Sequence, residues 1–293
     1  ATDRLFRTLG LNTSARRALA DLDAPQREML AAYAKGVNAY RTQAAGRLPI
    51  EYRIAGFEPA PWGAEDSLLI GAFMAWNLSY NLRAELTFLR VASRVGPELA
   101  RELFPPDPWI QPPAVSPELP ASLLSQGSEL AGRLAALLEG PGLWGLPVPG
   151  AASNGWALTG RHSADGSALL ANDPHLAATM PGIWYELELI GPGLHVAGLS
   201  LPGVPLVMIG HNEDLAWGFT TAMADTQDLF VERPTADGQG VERPLGGVEP
   251  IDTRIQRIGV RGGDLVELPV RSTSNGVILN EILVPHPPGV GGR

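Results

Sequence analysis

The hydrophobic pattern of this chain changes period near residue 152, and that change limits the fold more than any other feature. Upstream, apolar residues recur at helical spacing. Met29, Leu30, Tyr33, Val37 and Tyr40 follow Asp23-Ala24-Pro25, which carries the acidic and proline signals of a helix start. Glu65-Asp66 opens a second helical run through Leu69, Phe73 and Trp76, and a third spans about Arg83 to Val95 and is predicted to stop at Gly96-Pro97. Prolines cluster between Phe104 and Pro120 as an extended connector. A short helix, Glu129 to Leu138, follows, and then glycines and prolines punctuate Gly140 to Gly150. Downstream the pattern breaks into short apolar runs bounded by turn residues. Strands are predicted at 153–158, 167–171, 184–190, 194–199, 206–209, 216–220, 229–232, 255–260, 265–270 and 277–279. Helices first and strands second predict an α+β fold with layered antiparallel sheets, not a doubly wound parallel sheet.

Composition removes several function classes. With 293 residues the chain can bury a sizeable core, and its net charge of −9 argues against polyanionic partners such as nucleic acid. It has no cysteine, which excludes disulfides, thiolate catalysis and cysteine-ligated metal sites. No apolar run reaches the roughly 18 residues needed to span a bilayer. Five histidines (His162, His175, His195, His211, His286) lack zinc-site spacing, and the glycine pairs 246–247 and 262–263 lack a phosphate-loop context and read as hairpin turns. No organic cofactor is expected.

Four clusters carry potential chemistry. Small residues Gly150-Ala151-Ala152 run into Ser153, which opens a strand. A serine hydroxyl needs an adjacent base, and no G-x-S-x-G elbow occurs in the chain. Cleavage of the Ala152–Ser153 bond would let the new α-amine, with a pKa of roughly 7.7–8.0, act as that base. Asn172-Asp173-Pro174-His175-Leu176 reads as a turn at a strand end. Asn212 to Asp214 suits a hairpin turn, and Gly218 permits close backbone approach. Asp225-Thr226-Gln227-Asp228 offers two carboxylates to a hard cation such as Ca²⁺, without EF-hand spacing; the plainer reading is a solvated acidic turn.

In this order the clusters are joined by Leu48-Pro49-Ile50-Glu51-Tyr52 with Glu58-Pro59-Ala60-Pro61-Trp62, by Met74-Ala75-Trp76-Asn77-Leu78-Ser79, and by Met180-Pro181-Gly182-Ile183-Trp184-Tyr185. Together they resemble the penicillin acylase (penicillin amidase) family of N-terminal nucleophile amidohydrolases, over about residues 4 to 290. The resemblance implies an αββα sandwich, incomplete here: a helical α-chain portion (1–113), an α-chain end and spacer (114–152), and the first part of a β-chain (153–293). It implies a precursor that cuts itself at Ala152–Ser153 to give an α/β heterodimer, with Ser153 as nucleophile. His175 would lie beside it, and the Thr221 backbone N–H would be an oxyanion donor. Asp225, the Gln227 carbonyl, Asp228 and Glu85 match a structural calcium site; Glu85 does so after a one-residue gap. Met74, Leu78, Leu176 and Phe219 match the acyl pocket.

Those pocket residues are mostly aliphatic, so an aliphatic acyl chain is expected on a small-molecule N-acyl amide of the penicillin type. Alternatives are acyl-homoserine lactones, acylated peptides, or a non-catalytic unprocessed or truncated precursor. The resemblance also implies a second oxyanion asparagine further along than residue 293, so the sequence reads as part of a longer protein, inactive as it stands. Family members are mostly periplasmic or secreted, and the same is expected here.

Overall fold

Asp23 opens a long helix as its sequence foreshadows. Its carboxylate accepts from the Gln26 amide at 2.9 Å, while the Gln26 side chain accepts from the Asp23 amide at 3.0 Å. This reciprocal capping box satisfies amides that a helix start leaves unpaired. The computed structural model describes residues 2–79, 81–104, 121–138, 153–176, 180–222 and 226–283. Its helices are α1 (Thr2–Leu9), α2 (Leu11–Asp21), α3 (Ala24–Gln43), α4 (Ile50–Ala55), α5 (Ala64–Asn77), α6 (Asn81–Val95), α7 (Pro97–Leu103) and α8 (Ala121–Leu138), with α9 (Asn280–Leu283) after the strands. Gly96-Pro97 ends α6 but does not end the helical region. Gly96 adopts φ 87°, which favours glycine, and becomes the N-cap of α7, where Pro97 sits in the first turn and its missing N–H costs nothing.

The strands are β1 (Ser153–Leu158), β2 (Leu169–Pro174), β3 (Tyr185–Gly191), β4 (Leu194–Ser200), β5 (Ile209–His211), β6 (Ala216–Trp217), β7 (Arg233–Pro234), β8 (Gly240–Glu242), β9 (Val248–Pro250), β10 (Asp252–Ile258), β11 (Val266–Thr273) and β12 (Gly276–Val277). All pairings among them are antiparallel, in the sheets β1-β2, β3-β4-β5-β6, β7-β8-β9 and β10-β11-β12. Several strand expectations change. Residues 229–232 join no ladder, the run at 216–220 pairs only as far as Trp217, and of 206–209 and 277–279 only Ile209 and Val277 lie in strands. Strands β7 to β9 escaped the reading because strands of two or three residues carry no alternation.

The chain forms two compact units. One comprises Leu11–Leu78 and Gly145–Ala222. Here α2 and α3 pack on α5 around Ala15, Leu30 and Ala34, and the β3–β6 sheet buries Ile209. The Asn38 carboxamide pairs with both backbone groups of Trp62, donating to its carbonyl at 2.8 Å and accepting from its amide at 2.9 Å. Trp62 then donates from its indole to Ser67 at 3.1 Å, one turn into α5.

The other unit comprises Ala1–Gly10, Ser79–Trp144 and Met223–Arg293. Its helical core centres on Phe88, 1% exposed, whose ring meets Phe104 edge-on with centroids 5.9 Å apart. Strand β11 buries Leu268 and Val270. Arg243 binds Glu249 and Glu232, and those carboxylates also accept from Ser274, Thr273 and Asn275, tying the β8–β9 hairpin to the end of β11. The ion pair holds the Glu249 carboxyl below its ordinary range and the Arg243 guanidinium above its own. Among the described residues no helix is long and apolar enough to cross a membrane.

Candidate active site

Ser153 is the first residue of β1, and the β1–β2 register sets it opposite Pro174. His175 is the next residue along β2's path, so the hairpin brings the serine and the histidine to the same end. The ladder does this work because antiparallel pairing fixes each cross-strand partner. His175 Nε2 lies 3.2 Å from Asp173 Oδ1, and both side chains are exposed. Ala152, on the other side of the scissile bond expected from the sequence, lies outside the described residues.

A third segment is fastened to this hairpin by a side chain that sequence reasoning left as part of a turn. The half-buried Asn172 stands opposite Gly155 in the ladder. Its Nδ2 donates to the Asn154 carbonyl at 2.8 Å and to the Phe219 carbonyl at 3.0 Å, while its Oδ1 accepts from the Phe219 amide at 3.0 Å. One carboxamide thus imitates a strand neighbour for Phe219, offering a donor and an acceptor to one residue's two backbone groups. Gly218 makes room for it: a Cβ there would stand 2.7 Å from the Asn172 Cγ and Oδ1. Thr221, half-buried, follows Phe219 by two residues.

The expected pocket residues fall into two pairs within the same unit. Met74 lies on α5 and Leu78 caps it, one turn apart, with the Leu78 amide bonded to the Met74 carbonyl at 2.9 Å, so both share a helix face. Leu176 follows β2 and Phe219 follows β6 at 50% exposure. A surface depression lined by Tyr40, Gln43, Ala44 and Arg47 at the end of α3 contains none of these residues.

In the other unit, the first turn of α6 gathers the 226–229 loop. Asn81 Oδ1 accepts from the Thr226 amide at 3.3 Å and its Nδ2 donates to the Gln227 carbonyl. Glu85, one turn on, accepts from the Leu229 amide at 2.9 Å, and Ser79 and Thr226 share a hydroxyl–hydroxyl bond. Glu85 therefore sits beside Gln227 and Asp228 despite some 140 intervening residues, the sequence separation of the Glu85–Leu229 bond being 144. These groups offer only oxygen, the donor chemistry of a hard cation. Asp225 lies outside the described residues, and among those described no cluster of His, Asp and Glu is arranged to hold a metal.

Similarity to known proteins bears on the whole chain. It is 32% identical over 284 residues to the acyl-homoserine lactone acylase QuiP of Pseudomonas aeruginosa, covering 96% of this chain and 33% of that protein. It is 33% identical over 283 residues to penicillin acylase 2 proenzyme of Pseudomonas sp. strain SE83, covering 94% of this chain and 36% of the relative. Against penicillin G acylase of Escherichia coli the figures are 25% over 315 residues, 90% and 37%. The chain thus spans about a third of the length of the curated relatives it matches. Residues 1–290 match the family model described as penicillin amidase, and with the serine-headed hairpin this places the chain in the penicillin amidase family.

Proposed function

We propose that the full-length protein is an amidohydrolase of N-acyl substrates that uses Ser153 as an N-terminal nucleophile. The observation that carries the reading is the β1–β2 register, which gathers Ser153 and His175 at one end of a hairpin. Self-cleavage would come first: Ser153 Oγ attacks the Ala152 carbonyl, the peptide becomes an ester, and water hydrolyses it to free the Ser153 α-amine. That amine, with a pKa of roughly 7.7–8.0, is largely neutral at mildly alkaline pH and takes the hydroxyl proton as Oγ attacks a substrate amide. It returns the proton to the leaving amine. Water then attacks the acyl-serine ester by the same route. The Thr221 N–H would bind the oxyanion, a contribution on the order of 10²–10³ in rate for one such donor. His175 would orient the serine.

Met74, Leu78, Leu176 and Phe219 would receive the acyl chain. Three of the four are aliphatic, which favours an aliphatic chain, and relatives named acyl-homoserine lactone acylase and penicillin acylase support an N-acyl substrate. Such a pocket resolves a methylene by only about 1–3 kcal/mol. The αββα sandwich and the α/β heterodimer belong to the same proposal. Glu85, the Gln227 carbonyl, Asp228 and Asp225 would hold a structural Ca²⁺, whose charge would offset their carboxylates and brace the loop against α6.

Mass spectrometry of the expressed full-length protein, with N-terminal sequencing, tests the mechanism. A new terminus at Ser153 in the active form is expected. An active protein still intact across Ala152–Ser153 overturns the mechanism. An acyl-amide panel running from short to long and from aromatic to aliphatic tests the pocket, with turnover highest on aliphatic chains.

A further inference from the structure

We infer that Asn172 is a positioning residue that sets the distance between the nucleophile and the oxyanion donor; the inference rests on the reading of Ser153 and Thr221 given above. The geometry is specific. The Asn172 carboxamide bonds the carbonyl of Asn154, the residue directly after Ser153, and both backbone groups of Phe219, two residues before Thr221. Two residues of chain extend by at most about 7 Å, so the Thr221 amide is tethered close to the clamped Phe219 amide. Likewise Ser153 is one residue from its own tether. A single side chain therefore spans the two halves of the reaction centre, the attacking hydroxyl and the N–H that receives the developing negative charge.

The sequence around the clamp is shaped to allow it. At Gly155, which faces Asn172 across the ladder, a Cβ would make only ordinary van der Waals contact with it at 3.7 Å, so the requirement falls on Gly218. Gly218 leaves the space the carboxamide occupies. Segment 218–221 extends no ladder of its own beyond Trp217. A segment without ladder bonds would be loosely placed, and oxyanion stabilisation requires a donor fixed within a few tenths of an ångström before the reaction begins. Asn172 supplies that fixity without adding a strand that would cover the serine.

Asparagine is required rather than a near isostere. Phe219 presents a donor and an acceptor together, and Asn154 a second acceptor. Aspartate at 172 could still receive the Phe219 amide, but it would turn a carboxylate oxygen toward two carbonyl oxygens. The segment should then shift, and with it the Thr221 amide. Substrate affinity rests on all four pocket residues, of which Phe219 moves with the segment, so it should fall far less than turnover.

The test is Asn172→Asp in the full-length protein, with Gly218→Ala as a second variant that pushes the carboxamide aside without removing a polar group. Expected is a mature protein with the Ser153 terminus by mass, a kcat lowered about 100-fold and a KM within about threefold of the parent. Affinity for an acyl boronic acid, which mimics the tetrahedral anion, should fall in parallel with kcat/KM, while affinity for the free carboxylic acid product should not. A kcat within about threefold, or a KM rise at constant kcat, overturns the inference. So does failure of both variants to fold, which would make Asn172 a scaffold residue. Failure of the underlying reading shows differently: the unaltered protein would be active yet uncut ahead of Ser153.

Discussion

Asn38 and Asn172 perform one operation in two places. Each carboxamide pairs with the amide and the carbonyl of a single aromatic residue, Trp62 in one case and Phe219 in the other, at 2.8 to 3.0 Å. Around Asn38 the partner segment leads into α5, whose cap at Gly63 follows Trp62 directly, and the Trp62 ring lies against Gly203. Around Asn172 the partner segment ends at Thr221, and the carboxamide reaches one carbonyl further, to Asn154 beside the serine. Identical chemistry thus serves packing in one place and, on the proposed mechanism, the reaction centre in the other. What differs is the backbone that each clamp holds.

The largest effect that can separate the two clamps comes from removing the proposed nucleophile. Ser153→Ala should lower turnover by at least about 10⁴-fold and leave the precursor uncut. In that background Asn172→Asp should lower the residual rate no further, because residues that act as a unit are not additive. Asn38→Ala should keep its whole cost there, since it acts on stability alone. That cost is about 1–3 kcal/mol, from two backbone groups left half-buried without partners, and it is read as a lower Tm with kcat within about threefold. A large kcat loss in the Asn38 variant would erase the distinction.

A third asparagine sharpens the comparison. Asn81 also accepts from one backbone amide and donates to one carbonyl, those of Thr226 and Gln227, beside Glu85. If calcium braces this loop as proposed, adding Ca²⁺ at about 100 times its Kd should stabilise the full-length protein by about 2.7 kcal/mol. Glu85→Gln should remove that gain, measured as the Tm difference between calcium and chelator, and should leave the Asn38 and Asn172 effects intact.

The smallest effects concern pH. Carboxamides do not titrate, so Asn38→Ala should shift a curve of Tm against pH without bending it. The ionic contacts should bend it. Glu249 is held below its ordinary value of 4.5 by hydrogen bonding to Arg243 and to Ser274, so its contribution is present above that value and is lost as pH falls through the lower folded value. His195 is raised above 6.5 by hydrogen bonds to Glu188, at 2.9 Å, and to Glu213. Its contribution is complete below 6.5 and is lost as pH rises through the higher folded value. His195 is exposed and the Glu249–Arg243 pair is only half-buried, so the bends should be slight. Glu249→Gln should flatten the acid limb and His195→Gln the limb above 6.5.

Much of this was legible in residue order. The Asp23 cap, α5, α6 and the start of β1 at Ser153 follow local signals, and Gly218 permits close approach whatever its neighbour. Gly96-Pro97 stops α6 at Val95, as its signal predicts, and also begins α7, since proline is as acceptable in a first helical turn as it is beyond a last one. Local rules misled further along. Residues 229–232 have strand composition but no ladder; the Leu229 amide goes to Glu85 instead.

By itself, then, the sequence determined the longer helical and extended segments, the place of the serine at a strand start, and the family. These depend on periodicity and short motifs, whose physics is local. Only the tertiary structure decided that Asn172 reaches Phe219 and that Asn81 and Glu85 reach the 226–229 loop. In each case the partner is a backbone amide or carbonyl. Every residue except proline carries that same pair of groups, so no side-chain pattern can announce which one a distant asparagine will meet.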